Sequence, residues 1–185
     1  MTKTNIIILL IVLVIVLVAL LVILYKTFGE KLDHIMDKLN DSENDILDKL
    51  KKKYDLTKKL IEYTESKYKV ESKIFDETSK ITIENLNSFK DEKKLNKCYK
   101  EIIQIKEDNS KVKETKAFKE LLNEYDENEI SIISLRTFHN KYTLEYNNMI
   151  HKFPYNIISK IKRYKLISLI DGKELDNNFN NDLEV

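Results

Sequence analysis

The sequence has very few of the residues that turn or kink a chain. Its 185 residues include two glycines and one proline, and tryptophan is absent. Hairpins and tight turns depend largely on glycine, proline and small polar residues, so a fold rich in β-sheet is disfavoured. Long helices with few breaks are the expected architecture.

A surplus of either charge is also missing. The chain has 32 Lys and Arg residues against 31 Asp and Glu residues, for a net charge of +1. Nucleic-acid-binding proteins usually show a basic surplus, so we expect no nucleic-acid partner. The single cysteine, Cys98, excludes an intramolecular disulfide framework. Because no motif places a base beside it, we expect Cys98 to be a small buried hydrophobic residue and not a nucleophile.

Motifs for metal, phosphate or cofactor binding are not found. The three histidines, His34, His139 and His151, form no H-E-x-x-H pattern and no zinc spacing with the cysteine. Two distant glycines, Gly29 and Gly172, cannot form a glycine-rich phosphate loop. The carboxylates are interleaved with lysines, which is typical of solvated helix faces. We therefore predict no cofactor, no metal and no enzymatic activity.

One long apolar run is present near the N-terminus. Ile6–Leu24 contains no charged residue and would span roughly 28 Å as a helix, close to the thickness of the hydrocarbon core. A cleavable signal peptide usually has a shorter apolar region that ends in small residues, a pattern missing here. We predict a short flank at residues 1–5 and an uncleaved transmembrane signal-anchor at residues 6–25.

The lysines around this run predict its orientation. Lys3 and the free amino group precede it, whereas Lys26, Lys31 and Lys38 follow it. The positive-inside rule counts Lys and Arg near the ends of a span. It favours a single-pass membrane protein with a cytoplasmic C-terminal domain.

The rest of the chain divides by its amphipathic patterns. We expect a juxtamembrane amphipathic segment at residues 26–42, a helical bundle at 43–170 and a polar, disordered tail at 171–185. Gly29 predicts a joint after the anchor. Ser42 followed by Asp45 resembles a capping box and predicts a helix start. The predicted helices are 43–86, 88–107, 114–152, which Pro154 ends, and 155–170.

A polar stripe lies among apolar residues on the predicted helix 114–152. At 100° per residue, Glu129, Arg136, Asn140 and Asn147 share one line, with Phe118 on its apolar end and Ile133 within it. The helix 43–86 has a comparable stripe that contains Lys53 and Glu71. Paired polar groups between helices can fix their alignment, and this is the favoured interpretation. A binding pocket lined by Arg136, Asn140 and Asn147, or a face exposed to solvent or another subunit, are the alternatives.

Two blocks of sequence resemble the LemA family of membrane-anchored helical proteins. The first is Leu50–Ile61, which contains Lys53, Asp55, Leu56 and Leu60, followed by Glu71. The second runs from Phe118 through Glu129 and Arg136 to His139-Asn140, Tyr146-Asn147 and Phe153-Pro154, with the spacings of the family pattern. His139 replaces a family tyrosine, Lys53 replaces an arginine, and Thr57-Lys58-Lys59 replaces Ile-Pro-Asn, which indicates a divergent member.

The resemblance implies an all-α fold in which an antiparallel bundle of about four helices follows the anchor. It implies no established enzymatic activity, and some relatives are linked to membrane organisation in magnetosomes. We therefore expect a membrane-organising or protein-interaction scaffold that contacts the lipid bilayer and binds protein partners or copies of itself. A coiled-coil membrane tether or fusion-type protein is the alternative, although it requires heptads over the whole 43–153 span.

Overall fold

The computed structural model describes residues 3–81, 89–110, 112 and 114–170. These residues form five helices and no strand, which confirms the predicted fold class: α1 (Lys3–Tyr68), α2 (Lys73–Ser79), α3 (Phe89–Asp108), α4 (Lys116–His151) and α5 (Tyr155–Lys162). They divide into two compact units. Unit 1 combines α1 up to Asn40 with Asn140–Leu169, and unit 2 contains Asp41–His139 together with Ile170.

The first helix, α1, is continuous where the sequence predicted two breaks. A glycine inside a helix costs only about 1 kcal/mol relative to alanine, and α1 passes through Gly29 without a joint. The hydroxyl of Ser42 shares a 2.9 Å hydrogen bond with Nδ1 of His139 and does not cap a new helix. The predictions of a joint at Gly29 and a helix start at Ser42 are therefore wrong.

The C-terminal end of α1 comes earlier than predicted. Lys69 follows the helix with φ 54°, in the left-handed region that stops helical propagation. Its backbone N–H donates to the carbonyl oxygen of Glu65 at 3.0 Å. Residues 69–72 then lead into α2. The predicted helix 43–86 is thus two helices as far as residue 81, and its last residues lie outside the described part of the chain.

The second and third predicted helices are confirmed, and their ends differ from the prediction by one or two residues. Helices α3 and α4 correspond to the predicted 88–107 and 114–152. The last helix is shorter than the predicted 155–170, because Arg163 adopts φ 58° directly after α5. Tyr164 N–H then bonds to the carbonyl oxygen of Ser159 at 2.9 Å. The predicted disordered tail at 171–185 lies outside the described residues.

In unit 2, α4 runs antiparallel to the second half of α1. Contacts between the two helices proceed in opposite directions along the chain. Ser42 pairs with His139, the Lys49 carbonyl oxygen accepts from Asn128 at 2.9 Å, and Tyr63 accepts from Thr115 just before α4. Helices α2 and α3 complete the core of this unit, for example through Phe75 and Leu95. The predicted antiparallel bundle is confirmed.

Most buried positions of α4 repeat every seven residues, and the buried Asn128 lies outside this series. They alternate in steps of four and three, and the partly buried Glu129 and Arg136 fill the same series: Phe118, Leu122, Tyr125, Glu129, Ile132, Arg136, His139, Thr143, Tyr146 and Ile150. This 3.5-residue period is typical of helices that coil around each other. Relative to a straight helix, the contact line drifts by about 20° per heptad, or roughly 80° between Phe118 and Tyr146.

The N-terminal third of α1 carries exposed apolar side chains. The large apolar side chains from Ile6 to Leu24 are between 41% and 63% exposed. This segment is long and apolar enough to cross a membrane, and none of it is buried. In unit 1 the same helix continues into a small core that contains Leu32, Ile35, Leu39 and Tyr146.

Candidate functional site

Four charged side chains from three helices meet inside unit 2, and we call them the ion cluster: Lys53, Glu92, Glu129 and Arg136. The ammonium Nζ of Lys53 lies 2.5 Å from Oε2 of Glu129 and 3.5 Å from Oε1 of Glu92. The other carboxylate oxygen of Glu92 accepts from Nη2 of Arg136 at 2.6 Å. Glu92 therefore joins two cations, and the four charges sum to zero.

The helix register brings these residues together. Glu129 and Arg136 are one heptad apart and share the buried line of α4. Glu92 lies three residues before the fully buried Leu95, so both occupy the inner face of α3. Lys53 shares the inner face of α1 with the buried Leu50 and Leu56 and is itself completely buried.

The ion cluster lies beside aromatic rings, with Lys53 and Glu92 buried and Glu129 and Arg136 partly exposed. The Lys53 ammonium lies 5.8 Å from the ring centroid of Tyr125, which stacks on Tyr99 with centroids 3.9 Å apart. Burial raises the pKa of the Tyr125 hydroxyl far above its ordinary value, with Glu129 as the next cause. A charge in such surroundings is stable only when it is paired, and each member of the cluster has an oppositely charged partner.

A second polar contact lies farther along the same pair of helices. His139 is completely buried, and its Nδ1 lies 2.9 Å from Oγ of Ser42. Its Nε2 is 3.9 Å from a carboxylate oxygen of Glu43, whose side chain is 52% exposed. The histidine that replaces the family tyrosine thus occupies a core position and bonds to a serine across the helix pair.

The predicted polar stripe is only partly brought together. Lys53, Glu129 and Arg136 meet in the ion cluster. The inclusion of Glu71 is wrong, because this residue is exposed in the connection between α1 and α2, beyond the end of the helix that would have carried it. Asn140 is half-buried and belongs to unit 1, as does Asn147.

Asn147 has a structural role within unit 1. Its amide nitrogen donates to the carbonyl oxygen of Ile167 at 2.8 Å, and its Oδ1 accepts from the backbone N–H of Ile167 at 3.0 Å. These two bonds hold the chain after α5 against α4. The predicted alternative of a pocket lined by Arg136, Asn140 and Asn147 stays a prediction, with Arg136 in unit 2 and both asparagines in unit 1.

The sequence prediction missed Glu92, the carboxylate that links both cations. Its spacing from Leu95, Cys98 and Ile102 was the available signal, because these residues define the buried face of α3. An acidic residue on such a face requires a buried cation nearby. Asp91 precedes Glu92 in the sequence. The helical spacing places Glu92, and not Asp91, on the face that carries Leu95.

The residues of the family motif are mostly core residues. Leu56, Leu60, Phe118 and Tyr146 are almost fully buried. Burial raises the pKa of Tyr146 to about 12. Asp55, Phe153 and Pro154 differ from these: Asp55 is exposed, Pro154 is half-buried, and Phe153 is 79% exposed.

The remaining reactive groups include a buried thiol and the side chains of an open cleft. Cys98 is completely buried, and burial raises the pKa of its thiol to about 11, so the neutral thiol predominates near pH 7. In the described ranges, no three His, Cys, Asp or Glu side chains are close enough together to hold a metal ion. An open cleft beside α5 in unit 1 is lined by His151, Asn156 and Lys160, among others.

The fold and the ion cluster define a class of protein: an antiparallel helical bundle whose buried charges neutralise one another and connect three helices. The model of the LemA family matches residues 31–177, which is most of the chain, and the protein belongs to this family. Comparisons with curated proteins and with solved structures gave no significant match.

The ion cluster makes Arg136 important for stability. We expect Arg136→Ala to lower the free energy of unfolding by about 2–4 kcal/mol, because Glu92 loses its closest cation in a buried site. Lys119→Ala is the matched control, since Lys119 is an exposed cation on the same helix. Chemical denaturation of the full chain in detergent micelles, followed by circular dichroism, measures both. Equal stability of the two variants would show that Arg136 contributes no more than a surface charge.

Proposed function

We propose that this LemA-family protein is a single-pass membrane protein held by residues 6–25 as an uncleaved anchor, with the helical bundle on the cytoplasmic side. We further propose that the bundle acts without catalysis, as a scaffold that organises the membrane and binds protein partners or copies of itself. The apolar segment of α1 supports the anchor, because it is long and apolar enough to cross a membrane and its large side chains are exposed.

The continuity of α1 supports an uncleaved anchor. The helix that contains Ile6–Leu24 also supplies Leu32, Leu39 and Ile46 to the two cores. Removal of a signal peptide after residue 25 would cut this helix about one third of the way along its length. The lysines after the segment, Lys26, Lys31 and Lys38, favour the cytoplasmic side for the bundle.

The ion cluster supports a structural and not a catalytic role for the buried charges. Lys53 and Arg136 each bind a carboxylate of the same bundle, which fixes the alignment of α1, α3 and α4. Helix α4 also presents apolar groups on its outer surface, such as Ile130 and Ile133, which are 67% and 56% exposed. Outward-facing apolar residues on a rigid bundle suit contacts with other proteins.

Membrane extraction and site-directed labelling test the anchor and its orientation. We expect the full chain to remain in the membrane fraction after alkaline carbonate washing and to be released by detergent. A Glu120→Cys variant supplies an exposed thiol on α4, whereas the native Cys98 is buried and controls for background labelling. A membrane-impermeant maleimide should label the variant only after the cells are opened. Release by carbonate would contradict the anchor, and labelling of intact cells would contradict the orientation.

Cross-linking in the same membranes tests the scaffold. With the anchor in place, we expect a defined homo-oligomer or a stoichiometric complex with a second membrane or cytoplasmic protein. A chain that stays monomeric in its native membrane, and that purifies alone at stoichiometric level, would contradict a scaffold role.

A further inference from the structure

The short helix α5 lies across α1 close to the end of the apolar segment. At its first residue, the Tyr155 ring packs edge-on against Phe28, with centroids 4.9 Å apart. At its last residue, Nζ of Lys162 lies 2.6 Å from a carboxylate oxygen of Asp33 and 3.4 Å from the position where Gly29 would carry a Cβ. Both ends of α5 thus meet the same two turns of α1, although Tyr155 and Lys162 are about 10 Å apart along α5. The helix therefore crosses α1 instead of following it.

The crossing occurs at the level where lipid headgroups would lie. Phe28 is four residues beyond Leu24, or about 6 Å along the helix axis. Each headgroup region extends about 5–8 Å beyond the edge of the hydrocarbon core. If Ile6–Leu24 spans that core, the turns of α1 that hold α5 stand at the membrane surface.

The contacts of α5 with α4 show which of its faces is covered by protein. The buried face of α5 carries Ile158 and Ser159, and the hydroxyl of Ser159 donates to the carbonyl oxygen of Ile150 at 3.0 Å. Earlier in α4, Tyr142 contacts Lys38, which is farther along α1 from the apolar segment than α5 is. The C-terminal turns of α4 therefore run towards the apolar segment of α1, and α5 packs against the C-terminal end of α4. The opposite face of α5 points away from α4.

This opposite face combines exposed apolar groups with a basic border. Phe153 is 79% exposed, Ile157 51% and Ile161 61%, with a spacing of four residues between each. From residue 151 to residue 170 the sequence contains no Asp or Glu. The basic side chains of this stretch are Lys152, Lys160, Lys162, Arg163 and Lys165. An apolar face bordered by cations is typical of helices that lie in the surface of an anionic membrane.

We propose that α5, with Phe153 before it, is a second membrane contact of this protein. Phe153, Ile157 and Ile161 enter the boundary between headgroups and acyl chains of the bilayer that the anchor spans. Lys160 and Lys165 bind the phosphates of anionic lipids. The proposal rests on the proposed membrane anchor, and it makes unit 1 a two-point attachment that limits how far α1 can tilt.

Single tryptophans measure these contacts directly, because the native chain contains none. Three variants of the full chain are reconstituted into vesicles of phosphatidylcholine and phosphatidylglycerol whose acyl chains are brominated. Val14→Trp reports on the anchor, Phe153→Trp on α5, and Ile130→Trp on an equally apolar, 67% exposed position of α4. We expect strong fluorescence quenching for Val14→Trp, clear quenching for Phe153→Trp, and several-fold less for Ile130→Trp.

The three variants separate failure of this proposal from failure of the anchor. Quenching of Val14→Trp without quenching of Phe153→Trp would overturn the membrane contact of α5 while the anchor stands. A blue-shifted but unquenched Phe153→Trp spectrum would indicate that protein, such as a second copy of the chain, covers this face, and would also overturn it. Absence of quenching at Val14→Trp would overturn the anchor and, with it, this proposal.

A comparison of two pairs of lysine variants tests the role of the basic border. In the Phe153→Trp background, Lys160→Gln with Lys165→Gln should weaken quenching at least two-fold in anionic vesicles and have little effect in pure phosphatidylcholine. Lys116→Gln with Lys119→Gln is the control, since both lysines are exposed on α4. Equal quenching in the two pairs of variants would overturn the binding of anionic headgroups by Lys160 and Lys165.

Discussion

Replacing Lys53 by methionine is expected to lower the free energy of unfolding by about 3–5 kcal/mol, the range for removing one partner of a buried ion pair. Methionine keeps most of the volume of the lysine side chain, so the loss arises from charge and not from a cavity. Without the ammonium, the carboxylate of Glu129 loses a cation 2.5 Å away, and Glu92 retains only Arg136. Denaturation of the full chain in detergent, followed by circular dichroism, measures the change.

The neighbouring residue provides a matched control. Lys52 also has an ion pair, with Glu124 at 2.8 Å, but both side chains are nearly half exposed. Water already screens this pair, so Lys52→Met should cost less than about 1 kcal/mol. Equal losses for Lys52→Met and Lys53→Met would show that burial of the ion cluster has no energetic consequence.

A double substitution tests whether the loss comes from an unpaired carboxylate. Adding Glu129→Gln to Lys53→Met removes the charge that the first substitution leaves without its partner. The double variant should therefore be less destabilised than the sum of the single variants, by a coupling energy of about 0.5–3 kcal/mol. Strict additivity would mean that Lys53 and Glu129 do not interact.

Phe118→Ala is expected to lower the free energy of unfolding by about 3–5 kcal/mol, because it empties a large volume in the core of unit 2. Phe118 is completely buried. Its ring stacks on Tyr63 with centroids 4.3 Å apart and contacts the edge of Tyr68 at 6.3 Å. These contacts join the start of α4 to the last turns of α1, so their loss should also loosen both helix ends.

The other phenylalanine of the family motif is the natural control. Phe153 is 79% exposed, so Phe153→Ala creates no cavity and should change the stability by less than about 0.5 kcal/mol. Denaturation of both variants in the same detergent checks the difference. A large loss for Phe153→Ala, or a negligible one for Phe118→Ala, would contradict the packing described for unit 2.

The bounds of a helix in the bundle were predictable where the sequence pattern within that segment determines them. The bounds of α3 and α4 follow from amphipathic periodicity and from the turn residues around them. The length of α1 does not, because its predicted breaks at Gly29 and Ser42 are bridged by packing on other helices. Its true end depends on a left-handed conformation of Lys69, which no residue type signals in advance.

The positions of the buried residues around α4 show why the prediction of the polar stripe was only partly correct. A straight helix places Ile133, Asn140 and Asn147 on the line that starts at Phe118. The structure buries Ile132, His139 and Tyr146 instead. After two heptads, a drift of about 20° per heptad is enough to move the buried position from one residue to the residue before it in the sequence. This drift arises from the coiling of α4 with its partner helix and is absent from the periodicity of one segment.

The sequence by itself determined the all-α class, the family and a segment long and apolar enough to cross a membrane. These properties follow from composition and from spacing within single segments. Only the tertiary structure decided that Glu92 joins Lys53 and Arg136, that Glu71 is left outside, and that α5 lies across α1 beside the apolar segment. Such pairings depend on contacts between residues far apart in the chain, and local patterns carry no information about them.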